Sequence, residues 1–106
     1  MGKAERVVEN EVIRLATVFG GFARKYTCPG RRGVPDQIIF LPKLIFFIET
    51  KTSIGVLSGP QKREIARMQD LDIPTFVCSS IEEVQETFEK MTKWEVSYVP
   101  SSSNVV

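Results

Sequence analysis

The run Gly33-Val34-Pro35-Asp36 is followed, after twelve residues, by Glu49-Thr50-Lys51. Side chains two apart on a strand share a face. A strand ending here therefore projects Glu49 and Lys51 together and turns Thr50 away. If Asp36 opens the neighbouring strand of a hairpin, the two carboxylates meet, and like charges at one place call for a cation between them. Mg²⁺ suits that position: it takes hard oxygen donors and is often held by one or two carboxylates plus water and substrate phosphate. Mn²⁺ accepts the same donors. The backbone carbonyl of Thr50 is a further candidate ligand. An ion held there would polarise a phosphate and a bound water. Lys51, a compact point charge, would orient that water or stabilise charge developing on the phosphate.

Composition narrows the alternatives. The 106 residues contain no histidine, which removes His-based triads, zinc deaminase sites and His-metal facial triads. Cys28 and Cys78 stand far apart, outside any metal or disulfide pattern, and point to a reducing compartment. Net charge is only +1. Residues 1–63 nevertheless hold eleven Lys/Arg against five Asp/Glu, and residues 64–106 hold three against eight. Arg24, Lys25, Arg31 and Arg32 fall within residues 22–35, where there is no acid. A local basic stretch in a neutral chain suits contact with phosphates on one face. The charged N-terminus lacks the apolar core of a signal peptide, and the longest apolar run, 44–48, is too short to span a membrane. The expectation is a cytoplasmic protein with no membrane partner and no organic cofactor.

The elements that must position these residues are legible in outline. Residues 4–19 carry Val8, Val12, Leu15, Ala16 and Phe19 at helical spacing and stop at Gly20-Gly21. Residues 22–27 alternate as a short strand, and 28–35, with two prolines and two glycines, form a loop. Strands are expected over 36–41 and 44–50, joined at Pro42-Lys43. The near-continuous apolar run of the second predicts a central strand buried on both sides. Ser58 with Pro60 opens a helix running to about residue 71. A buried strand over 73–78 and a helix from Ser79 or Ser80 to about residue 91 follow. The connection from 44–50 to 73–78 is long enough for a right-handed parallel crossover. The expected fold is α/β, a small mixed sheet flanked by helices, with one domain over 1–92 and a partly disordered tail over 93–106. Trp94 and Tyr98 in that tail suit packing or self-contact better than base stacking.

PD, a strand, then ExK resembles the PD-(D/E)xK nuclease superfamily. The wider context of GGFARKY, GRRGVPDQIIFLP, FIETKT and LSGPQKREI is similar to the VRR-Nuc (virus-type replication-repair nuclease) family over roughly residues 5–90. The resemblance implies a restriction-endonuclease-like core and a Mg²⁺- or Mn²⁺-dependent, structure-selective DNA endonuclease. By similarity, Asp36 and Glu49 are metal ligands and Lys51 is catalytic. A carboxylate of the first helix approaches the metal; Glu9 matches best, with Glu11 and Glu5 as alternatives. Gln61 matches a glutamine near the site and Lys25 a lysine after the Gly-Gly pair, while Arg31 and Arg32 would contact the DNA backbone. Stand-alone members of this size resemble homodimeric enzymes that resolve four-way (Holliday) junctions in DNA repair and often belong to phages. The setting this implies is a bacterial or phage-infected cell. A nuclease directed at flaps, nicks or ends, or a non-catalytic DNA-binding module, would use the same frame.

Overall fold

The structure, a computed structural model, describes residues 3–52 and 55–93. Its elements run α1 (Lys3–Val18), β1 (Phe22–Lys25), β2 (Gln37–Leu41), β3 (Leu44–Thr50), α2 (Gly59–Asp70), β4 (Thr75–Cys78) and α3 (Ile81–Thr92). The strands form one sheet in the order β1-β2-β3-β4, with β3 and β4 parallel and the other pairs antiparallel. This is the expected α/β architecture with a mixed sheet. Apart from Lys93, which ends α3 in a left-handed conformation, the expected tail of 93–106 lies outside the described residues, with Trp94 and Tyr98. No helix among the described residues is long and apolar enough to cross a membrane.

One face of the sheet carries the main core. Ile39 and Leu41 of β2, Phe46 and Ile48 of β3 and Cys78 of β4 pack against Val12 and Leu15 of α1 and Val84 and Phe88 of α3. The period-3.6 stripe of α1 is what this face requires. Helix α2 serves the other face, burying Ile65 and Met68 outside that cluster. That second face is only partly covered. Phe22, Phe40 and Ile45 are directly opposite one another across three strands, and Phe22 is 45% and Ile45 52% exposed. The expected two-sided burial of β3 therefore holds only towards its C-terminal end, where α2 crosses. Strand β4 is likewise an edge strand rather than a fully buried one, with Val77 39% exposed.

Two local features fix the frame. The hairpin closes through Pro42 and Lys43, with Lys43 at φ 60°, a left-handed conformation that a lysine seldom takes. Helix α2 ends with the Ile73 and Asp72 amides donating to the Met68 and Gln69 carbonyls. Asp72 sits at φ 60°. This Schellman-type closure uses residues 72–73 to stop the helix, so β4 starts at Thr75 and not at residue 73.

Candidate active site

The hairpin pairs Gln37 with Ile48, so one further step along the same register places Asp36 across from Glu49. Strand β1 supports the step: the Tyr26 amide donates to the Asp36 carbonyl at 2.7 Å. Strand β4 supports the other side, its Cys78 carbonyl accepting from the Lys51 amide at 2.9 Å. Asp36 and Lys51 thus lie just beyond their strands, yet both are tied to a neighbouring strand by a main-chain hydrogen bond.

Each carboxylate is held by donors of the frame. Asp36 Oδ2 accepts from the Thr50 amide at 3.1 Å and from Thr50 Oγ1 at 2.8 Å. Glu49 is 1% exposed. Its Oε1 accepts from the Asp36 amide at 3.1 Å and its Oε2 from Gln61 Nε2 at 3.0 Å. Lys51 Nζ lies 3.5 Å from Glu49 Oε2. Burial, and next the negative charge of Asp36, push the Glu49 carboxyl up to about 7, against the opposing pull of Lys51 and of the Asp36 amide.

Gln61 reaches this pair from α2. Ser58 caps the helix, its Oγ accepting from the Gln61 amide at 3.2 Å while its own amide donates to Gln61 Oε1 at 2.9 Å. This reciprocal capping box uses one end of the Gln61 side chain and leaves the amide nitrogen to Glu49. The 28–35 loop is pressed onto the same helical turn. A Cβ at Gly33, where φ is +87°, would overlap the Pro60 carbonyl and stand 2.8 Å from Gln61 N.

The structure brings Asp36, Glu49, Lys51 and Gln61 together. It does not add Glu9 to a cluster, since no three acidic or cysteine side chains among the described residues are disposed to hold a metal ion. It does separate the three N-terminal glutamates. Glu11 is engaged by Arg14, at 2.9 and 2.8 Å, and by Gln85 of α3 at 3.0 Å, and the Arg14 hydrogen bond chiefly holds its carboxyl below the ordinary value. Glu5 is half-buried, whereas Glu9 Oε2 is buried with no hydrogen-bond partner. Lys25 is exposed at the end of β1, opposite Gln37. Arg31 and Arg32 line a cleft beside α2. Strand alternation missed the Thr50 hydroxyl, which turns to Asp36 although its residue faces the core side. It also missed the arginines of α2, whose only sequence signal is the i,i+4 spacing of Arg63 and Arg67.

Comparison with known proteins sets this geometry in a family. No family model matches the chain. It is 36% identical over 77 residues, 72% of its own length and 83% of the relative's, to candidate nuclease p44 of Acyrthosiphon pisum secondary endosymbiont phage 1. A solved VRR_NUC domain superposes with a TM-score of 0.78 at 29% identity, covering 83% of this chain and 97% of that one. The chain belongs to the VRR-Nuc family. A second solved VRR_NUC domain protein, 18% identical, shares the fold with a TM-score of 0.70 over 90% of this chain and 93% of its own.

For a VRR-Nuc chain the residues on hand suit a divalent metal. The donors are hard oxygens, and the negative charge of Asp36 disfavours that of Glu49. Asp36 and Glu49 would hold the ion. When bound, it would supply charge neutralisation at a phosphate.

Proposed function

We propose that this VRR-Nuc chain is a Mg²⁺- or Mn²⁺-dependent, structure-selective DNA endonuclease, hydrolysing phosphodiester bonds and cutting four-way junctions as a homodimer. The observation that carries the chemistry is the meeting of Asp36 and Glu49 across the hairpin with Lys51 Nζ 3.5 Å from Glu49. In this reading Thr50 orients Asp36, and Gln61 orients Glu49. Lys51 presents its ammonium to the attacking water or to charge gathering on the phosphate. Arg31, Arg32 and Lys25 contact the DNA backbone. The phage relative favours a phage or bacterial setting and the cytoplasm of such a cell.

A second copy of the chain is supported by the row Phe22–Phe40–Ile45, exposed at both ends and partly buried at Phe40, since exposed apolar surface commonly marks a contact between proteins. Two equivalent sites related by a two-fold axis match the two-fold symmetry of a four-way junction.

The test is cleavage of labelled four-way junction, flap and linear duplex with Mg²⁺, Mn²⁺ or EDTA, alongside Lys51→Ala and light scattering. Symmetric, metal-dependent junction cuts that Lys51→Ala loses, from a particle of twice the chain mass, are expected. Preference for flaps or ends would keep the site and replace the substrate. Equal cutting by Lys51→Ala would remove the site assignment.

A further inference from the structure

A cleft of about 420 Å³ opens between the 28–35 loop and α2, lined by Arg31, Arg32, Arg63, Glu64 and Arg67. Residues 60, 63, 64 and 67 share one face of α2, and Gln61, one position round, faces the carboxylates. The cleft and the catalytic pair therefore flank the same first turn of one helix. Four guanidinium groups and one carboxylate leave the cleft with a net charge of three positives. Arg63 lies folded over the turn, its guanidinium 3.2 Å from where a Cβ at Gly59 would stand.

Glu64 is the informative member. Arg31 Nε and Nη2 both donate to the single oxygen Oε1 of Glu64, at 3.1 and 2.8 Å. This is not the two-oxygen fork that makes guanidinium–carboxylate pairs strong. The Arg31 side chain is 45% exposed against 14% for Glu64, so the pair is open to water on the arginine side, where such contacts are weakened. An oxyanion entering the cleft can take over the Arg31 fork at small cost, with three more guanidiniums beside it.

We propose that this cleft seats an internal backbone phosphate of the DNA strand being cut, with Glu64 standing in for that phosphate in the free protein. The inference rests on the nuclease reading and adds Arg63 and Arg67 to its substrate contacts. Reach sets the position. Asp36 lies four positions after Arg32, at most about 14 Å of extended chain, and a strand advances about 3.4 Å per nucleotide along the duplex axis. The phosphate seated is within about four nucleotides of the scissile one.

DNA binding in EDTA, followed across a salt series, tests this with Arg63→Gln/Arg67→Gln and with Glu64→Gln. Both arginines are exposed on a capped helix, so the double variant keeps its fold. We expect the double variant to raise Kd about tenfold and to lower the salt slope by about one to two. Glu64→Gln, by freeing Arg31 and removing a negative charge, is expected to lower Kd several-fold. A neutral methylphosphonate placed at each of the four nearest phosphates in turn should weaken wild type at one position and weaken the double variant less there. Unchanged Kd and slope in the double variant, or weaker binding by Glu64→Gln, overturns the cleft assignment while leaving the nuclease reading intact. Failure of wild type to bind DNA at all overturns both.

Discussion

Gln61 donates to Glu49 Oε2 at 3.0 Å while its own side-chain oxygen completes the cap of α2. One side chain thus fastens the start of a helix to a buried carboxylate of the sheet, and the two tasks are separable. Glutamate at position 61 retains the capping acceptor, as capping boxes with Glu do, but sets a second negative charge against Glu49. Gln61→Glu is expected to leave thermal stability in EDTA near wild type below neutral pH. It should also cut metal-dependent cleavage by about 10- to 100-fold and move the rising limb of the pH–rate profile upward. A profile identical to wild type would remove Gln61 from the site.

Thr50 presents a cleaner deletion. Thr50→Val keeps the shape and the amide donor to Asp36 and removes only the hydroxyl bond of 2.8 Å. A loss of about 1 kcal/mol in stability with a roughly tenfold loss in activity or metal affinity is expected, read by denaturant unfolding and calorimetric metal titration. Loss of stability with no change in metal affinity would reduce Thr50 to a packing role.

Glu49 couples the site to pH. Its carboxyl stands at about 7 in the folded chain against an ordinary value of 4.5, so the folded state holds the proton more tightly. This contribution to stability is full below about 4.5 and is lost as pH rises to about 7. At pH 8 the metal-free protein carries a penalty of at most about 3 kcal/mol from this group. Glu49→Gln should therefore be more stable than wild type in EDTA at pH 8, equal to it near pH 4, and inactive at every pH. Wild-type metal affinity should rise with pH through about 7, as the ion displaces the proton. A Glu49→Gln protein that melts below wild type at pH 8 would refute the account.

Two glycines of one loop make a matched control. Gly30 and Gly33 both hold positive φ, at 76° and 87°, but a Cβ at Gly30 meets nothing within 4 Å, whereas one at Gly33 runs into the Pro60 backbone. Gly30→Ala should cost about 1 kcal/mol from the left-handed conformation alone. Gly33→Ala should cost clearly more, because the loop must lift from α2, and should lower activity through Asp36 and Gln61. Equal effects of the two substitutions would mean that the loop is not anchored at Gly33.

The placement of the candidate site was legible because it lies on or beside strands, where a period of two assigns each side chain a face. Asp36, Glu49 and Lys51 follow from that rule, and Ser58 with Pro60 marks the start of α2 by equally local chemistry. What escaped is set by tertiary contact. Nothing local announces a left-handed Lys43, which is tolerated because strand pairing on both sides closes the turn. Nor does local pattern reveal that Arg63 and Arg67 would face Arg31 and Arg32 across a cleft, since the loop meets α2 through tertiary contacts, the close approach at Gly33 and the Arg31–Glu64 pair. The identity of the N-terminal glutamate was open for the same reason. The partner that separates Glu11 from the other two is Gln85, 74 residues away.

The two thiols differ in a way that bears on chemical labelling. Cys78 is fully buried in the core, within 3.4 Å of Thr87 Oγ1, and its thiol is pushed up to about 11, chiefly by burial. Thiolate is the reactive form, so an alkylating reagent meets an inert Cys78 until the core opens. Cys28, half-buried at the start of the arginine-bearing loop, is the thiol open to reagent in the folded chain. A fluorophore attached there would sit beside the proposed DNA cleft, and the slower second addition would clock global unfolding of the same molecule.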